Sequence, residues 1–61
     1  MAVANWIVMT KDLRLHIVYD QNTEEDAIRV FEEIRGEKAI AIARYTLGKT
    51  IKMKKVENKG A

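Results

Sequence analysis

The sequence predicts a small α+β domain in which one helix packs on one face of a four-stranded sheet, in the order strand, strand, helix, strand, strand. The chain has 61 residues, no cysteine and no proline, so one hydrophobic core must stabilise it without disulfide bonds. A strong helical pattern near the middle of the chain is flanked on both sides by segments of strand composition. No apolar run approaches the ~20 residues of a membrane-spanning helix.

The first two strands are predicted to form a hairpin with a turn at Lys11-Asp12. Residues 3–10 are rich in β-branched and aromatic side chains and lack a helical stripe, which favours a strand. Residues 13–20 alternate cleanly between two faces, as a half-buried strand does. One of these faces carries Leu13, Leu15, Ile17 and Tyr19.

The turn leaves two registers open for this hairpin. A two-residue loop pairs Val8 with Leu15 and turns Trp6 and Val8 toward the helix. A three-residue loop shifts the register by one and turns Ile7 and Met9 toward the helix instead. In either register, the first strand leaves large apolar side chains on the face that the helix does not cover.

A helix is predicted to begin after Thr23 and to end at Gly36. Thr23 is a suitable N-cap, and the three acidic residues that follow it place negative charge at the positive end of the helix dipole. Gly36 suits the left-handed backbone that often closes a helix. The apolar stripe of this helix consists of Ala27, Ile28, Val30, Phe31 and Ile34.

Residues 37–47 are compatible with a helix or a strand. Their alanines favour a helix, but Gly36 has already ended one, and the alternation of small and branched residues favours a strand, which we prefer. Gly48 then supplies a turn, and residues 50–56 are predicted as the last strand, with Ile51 and Met53 inward. The single domain is predicted to span residues 1–56, and residues 57–61 to form a frayed tail.

In its arrangement of elements this order resembles a β-grasp fold. The likeness is one of architecture only, so it implies no function and no site residue for this chain.

The surplus of apolar strand surface predicts a non-enzymatic domain that binds protein. A single helix covers one face of a sheet, and an exposed apolar face usually marks a protein contact. The simplest partner is a second copy of the chain, although another protein is an alternative. The residues predicted to lie at or near the contact are Trp6, Ile7, Met9, His16 and Val18.

Nucleic-acid binding is the alternative function, because charge is unevenly distributed along the chain. Residues 20–37 carry seven acidic and two basic side chains, whereas residues 49–61 carry five lysines and one glutamate. The lysines that would contact phosphates are Lys49, Lys52, Lys54 and Lys55. No aromatic residue alternates with them as a base-stacking platform requires, so solvation of a sheet edge is the preferred interpretation.

The sequence offers little for catalysis, and we expect no enzyme activity, cofactor, metal site or small-molecule substrate. Neither serine nor cysteine occurs, and the isolated glycines form no phosphate-binding loop. His16 is the single histidine and is expected to be a surface or interface residue. Small size and the absence of cysteine suggest a cytoplasmic accessory protein, of viral or mobile-element origin, with no membrane partner.

Overall fold

Four strands form one antiparallel sheet, and one helix packs on one of its faces, in a computed structural model that describes residues 3–56. This confirms the predicted α+β class. The predicted frayed tail at residues 57–61 lies outside the described residues. The elements in chain order are β1 (Ala4–Thr10), β2 (Leu15–Gln21), α1 (Glu24–Arg35), β3 (Ala39–Tyr45) and β4 (Lys54–Lys55).

The strand order in the sheet is β2-β1-β3-β4, which places β1 in the interior. Both neighbours of β1 run antiparallel to it, so β2 and β3 are parallel to each other and α1 connects them across β1. The likeness to a β-grasp therefore lies in the order of elements along the chain. In a β-grasp the first and last strands lie side by side, whereas here β4 pairs with β3.

The hairpin between β1 and β2 has the register of the three-residue loop. Met9 lies opposite Leu15, and Val8 lies opposite His16. The Leu13 N–H donates to the Thr10 carbonyl at 2.9 Å, and the Leu13 backbone is left-handed, with φ of 65°. A turn followed by a left-handed residue is the usual geometry of a three-residue hairpin loop.

The residues that this register turns toward the helix differ from those predicted for it. Trp6 and Val8 face α1, although the three-residue loop was expected to turn Ile7 and Met9 inward. The expectation was wrong because it took the Leu15 side of β2 as the inner side. The inner side of β2 instead carries His16 and Val18, which lie opposite Val8 and Trp6.

The hydrophobic core lies between α1 and this inner side of the sheet. Val8 and Ala27 are fully buried, and Phe31 is 3% exposed. The small side chain of Ala27 lets the helix approach the sheet where Trp6 lies. The indole N–H of Trp6 donates to the Gln21 carbonyl at 3.0 Å, which satisfies the ring's polar atom at the end of β2.

The ends of α1 follow the predicted capping pattern. The Thr23 hydroxyl accepts a hydrogen bond from the Asp26 N–H at 3.1 Å. Gly36 is left-handed, with φ of 68°, and its N–H donates to the Glu32 carbonyl. Ile34, the last residue of the predicted apolar stripe, does not join the core, since it is 76% exposed.

Residues 39–45 form a strand, as the alternation predicted. The side-chain carboxylate of Glu32 accepts a hydrogen bond from the Ala39 N–H at 3.1 Å, which links the end of α1 to the start of β3. The pairing of β1 with β3 shifts by one residue between Ala39 and Ala41, so Ile40 is the extra residue of a bulge.

The last strand is shorter than predicted. The turn at Leu47 and Gly48 forms as expected, but only Lys54 and Lys55 of residues 50–56 pair with β3. Lysine-rich edge sequence has little surface to bury, and Ile51 remains 38% exposed. The residue of this segment that faces the helix also differs from the prediction. Ile51 and Met53 were predicted to point inward, but Val56 is the residue that packs against the core.

Among the described residues, no helix combines the length and apolar character that crossing a bilayer requires.

Replacing Leu13 with glycine should stabilise the fold by about 1 kcal/mol, because a left-handed backbone costs a residue with a Cβ about 1–2 kcal/mol. The Leu13 side chain is 72% exposed, so little packing is lost. The matched control is Leu13→Ala, which keeps the strain and should leave the melting temperature near that of the parent chain. Equal melting temperatures for the two variants would contradict this account of the turn.

Stability should fall at acid pH partly through Asp12. The Thr10 hydroxyl donates to its carboxylate and Arg14 Nε lies 2.6 Å from it, so these contacts hold the pKa of Asp12 below its ordinary value of 3.8. The ionised carboxylate therefore stabilises the folded state above pH 3.8, and this contribution is lost as pH falls through the lower folded pKa. Asp12→Asn should flatten the decline of melting temperature below about pH 4.

Thr10→Val provides a second test, because it removes the hydroxyl donor while keeping a β-branched side chain. It should reduce the same acid-side slope. A profile for Asp12→Asn that overlays the parent chain at every pH contradicts the assignment.

Candidate protein-docking face

The sheet surface opposite α1 is apolar across three strands, and we call it the open face. Its members come from β1, β2 and β3 and share one side of the sheet because they alternate with the inner residues. The open face consists of Asn5, Ile7, Met9, Leu15, Ile17, Tyr19, Ala41, Ala43 and Tyr45, of which Asn5 is the polar member opposite Tyr45.

The strand register arranges the open face in rows. Ile7 lies between Ile17 and Ala43, and Met9 lies between Leu15 and Ala41. The Met9 row continues to Lys55 on β4, which lies opposite Ala41. Cross-strand neighbours in such rows are close enough for their side chains to pack together. The result is an uncharged surface with a lysine at the rim on the β4 side.

Exposure is concentrated at the β2 side of the open face. Ile7 is 8% exposed in the middle of the sheet, and Ala41 and Ala43 are also buried. By contrast, Leu15 is 62% and Tyr19 is 61% exposed. Large apolar side chains in this state leave more than half of their surface in contact with water, so burying that surface against another one is favourable.

The residues predicted for the contact are divided between the two faces. Ile7 and Met9 belong to the open face, as predicted for one of the two registers. Trp6 and Val18 are buried under α1, and His16 faces the helix, so these three residues do not lie on the side of the sheet that the helix leaves open. The difference again arises because the inner side of β2 was assigned incorrectly. An alternating pattern shows that the two faces of a strand differ, but it does not show which face meets the helix.

The sequence analysis missed the β2 and β3 members of the open face. The signal for those on β2 was present, since Leu15, Ile17 and Tyr19 form the clearest alternation in the chain. It was assigned to the core because the apolar side of a strand is normally the buried side. The signal for Ala41 and Ala43 was weaker, because alanine occurs on both faces of a sheet.

His16 lies in a groove between β2 and α1. Its ring packs against Phe31 with the ring centroids 5.2 Å apart, and Ile34 lines the same groove. Among the described residues, His16 Nε2 is the buried side-chain nitrogen or oxygen that has no hydrogen-bond partner. No carboxylate lines this groove, so the geometry provides no orienting group for a catalytic histidine.

The lysines of the alternative function do not form one continuous ribbon. Lys54 Nζ lies 3.0 Å from a Glu24 carboxylate oxygen at the start of α1, so its charge is already paired. Lys55 lies beside the open face, and Lys49 and Lys52 are exposed in the connection before β4. The acidic first turn of α1 lies next to Lys54, which disfavours an approaching phosphate backbone.

Within residues 3–56, no group of three or more histidine, aspartate or glutamate side chains is placed so that it could hold a metal ion. The acidic residues at the start of α1 act on the helix dipole and in ion pairs with Arg29 and Lys54.

Comparison of the chain with protein-family models, with curated proteins and with solved structures gives no match, so its function is inferred from its own geometry.

Proposed function

We propose that this chain is a non-enzymatic binding domain that self-associates through its open face. The single observation that supports this most strongly is the exposure of Leu15, Ile17 and Tyr19 on a sheet side that no helix covers. Burial of apolar area is worth roughly 25 cal/mol per Å². Packing this surface against another apolar surface is therefore favourable.

A second copy is the occupant that best suits the open face. The nine residues of the face carry no charge, so the face offers no charge pattern that selects a partner of opposite sign. Two apolar sheet faces can pack at about 10 Å to form the interior of a sandwich. A contact between two identical faces is also closed by a two-fold axis, which limits the assembly.

The size of the open face indicates a reversible contact. A seven-residue strand is about 23 Å long at ~3.3 Å per residue, and three strands are about 14 Å wide. The projected area is about 300 Å², well below the ~800 Å² per partner of a standard stable interface. One pair of open faces should therefore associate weakly.

Met9→Glu should weaken association through the open face at least about tenfold, because an unpaired carboxylate would be buried at the centre of the contact. Sedimentation equilibrium over a concentration series measures this. The matched control is Lys49→Glu combined with Lys52→Glu, which changes charge away from the face and should leave association intact. The emission of Trp6, which is buried under α1, reports whether each variant keeps its core.

Two outcomes would contradict the proposal. One is a parent chain that sediments only at its 7.0 kDa monomer mass at millimolar concentration. The other is retention on a DNA resin that is lost with rising salt and with the lysine reversal, since phosphate contacts weaken steeply in salt whereas apolar contacts do not.

A further inference from the structure

The β2 strand is an outer strand of the sheet with unpaired backbone groups. The Thr10 N–H donates to the Arg14 carbonyl, so Thr10 and Arg14 form a hydrogen-bonded pair of the hairpin. Hydrogen-bonded pairs alternate along an antiparallel ladder, so His16 and Val18 also direct their backbone groups at β1. The backbone N–H and C=O groups that point away from the sheet are those of Leu15, Ile17 and Tyr19, and of these the Tyr19 carbonyl already accepts a hydrogen bond from the Gln21 side-chain amide at 3.1 Å.

The two outer strands of the sheet differ in how they resist pairing with another strand. β4 is two residues long and both are lysines, which is a common protection against edge-to-edge pairing. β2 is seven residues long and contains neither lysine nor proline. The left-handed Asp20, with φ of 57°, interrupts the regular part of β2 after Tyr19. An unprotected stretch therefore runs from Leu15 to Tyr19.

We propose that β2 pairs antiparallel with β2 of a second copy, about a two-fold axis at Ile17. This register sets Ile17 opposite Ile17 of the second copy and Leu15 opposite Tyr19 of the second copy. All three outward-pointing residues then exchange backbone hydrogen bonds, about six in total. Two of these replace the bond that the Gln21 side-chain amide makes to the Tyr19 carbonyl in each chain. Their side chains lie on the open face, so each cross-strand pair joins two apolar or aromatic side chains.

Pairing at β2 also changes where the exposed side chains lie. In one chain, Leu15, Ile17 and Tyr19 are at the margin of the open face, next to solvent. In the paired sheet they form the centre of a surface about twice as large, and the lysines of the two β4 strands are at its outer rims. An apolar centre with a polar rim is the usual anatomy of a protein interface.

A groove runs beside β2 at the margin that would meet the second copy. It has a volume of about 480 Å³ and is lined by Val30, Phe31, Ile34 and the charged Arg35 of α1 together with β2. When two copies pair, their grooves meet at the junction between the sheets. Ile34, which is exposed in one chain, then faces the corresponding groove of the second copy.

This inference deepens the proposed function by naming how copies combine, but β2 pairing does not require contact between open faces. Two paired sheets that then pack through their enlarged open faces would contain four copies. Each contact has its own test, because the open face and the β2 edge can be altered separately.

The test compares Ile17→Pro with Ile17→Ala in the full chain. Proline removes the outward N–H of Ile17 without removing a bond to β1, and proline is tolerated on outer strands in this position. Alanine shortens the same side chain and keeps the N–H. Sedimentation should show Ile17→Pro at least about tenfold weaker in pairing than Ile17→Ala. The Met9→Glu variant should still form the β2-paired dimer, so its largest species should have twice the 7.0 kDa chain mass.

Amide hydrogen exchange supplies a residue-level readout. Protection at Leu15, Ile17 and Tyr19 should rise with the concentration of the parent chain and of Met9→Glu, whereas His16 and Val18 should be protected at every concentration. Exchange at the three outward amides that does not depend on concentration overturns β2 pairing. Protection of these amides only after addition of an unrelated extended peptide overturns the second copy as the occupant.

The two proposals fail differently. If Ile17→Pro keeps the parent mass while Met9→Glu dissociates, β2 pairing is wrong and association through the open face stands. If the parent chain stops at twice its monomer mass, and Ile17→Pro but not Met9→Glu abolishes that species, β2 pairing stands and the open-face proposal is wrong.

Discussion

The organisation of this chain depends on one constraint: the interior strand β1 is apolar on both sides, but residues 3–56 contain one helix to cover it. Trp6 and Val8 of β1 meet α1, and Ile7 and Met9 of the same strand lie on the opposite side. A two-layer domain of this length has no further element with which to cover the second side. On this second side Ile7 is itself buried, and the large exposed side chains are those of Leu15, Ile17 and Tyr19 on β2.

The hairpin turn determines which residues of β2 share each side with β1. Side chains alternate along a strand, so a shift of one residue would exchange the two sides of β2. The left-handed Leu13 lengthens the loop by one residue, and this sets Leu15 opposite Met9. A single exposed residue in the turn therefore places three large apolar side chains on the open face.

The sequence was sufficient to predict the α+β class, the element order and the bounds of α1. These follow from local signals, such as the Thr23 cap and the left-handed Gly36, that act within one element. It was not sufficient to predict which side of β2 meets the helix. That choice depends on how Trp6, Val18 and Phe31 pack in one core cluster, which joins distant parts of the chain and which periodicity does not encode. The same limit applies to β4, where Lys54 turns toward the helix because Glu24 pairs with it there.

The short β4 strand also limits how far any larger sheet can extend. Its two lysines leave no long run of free backbone groups at that margin of the described structure, and Lys54 is held toward α1 by its ion pair. Under the proposed β2 pairing, strands would be added at one margin of each sheet, so a ribbon that joins two chains would be terminated at both ends. The difference between the two outer strands, β2 and β4, thus favours a finite particle over a fibril.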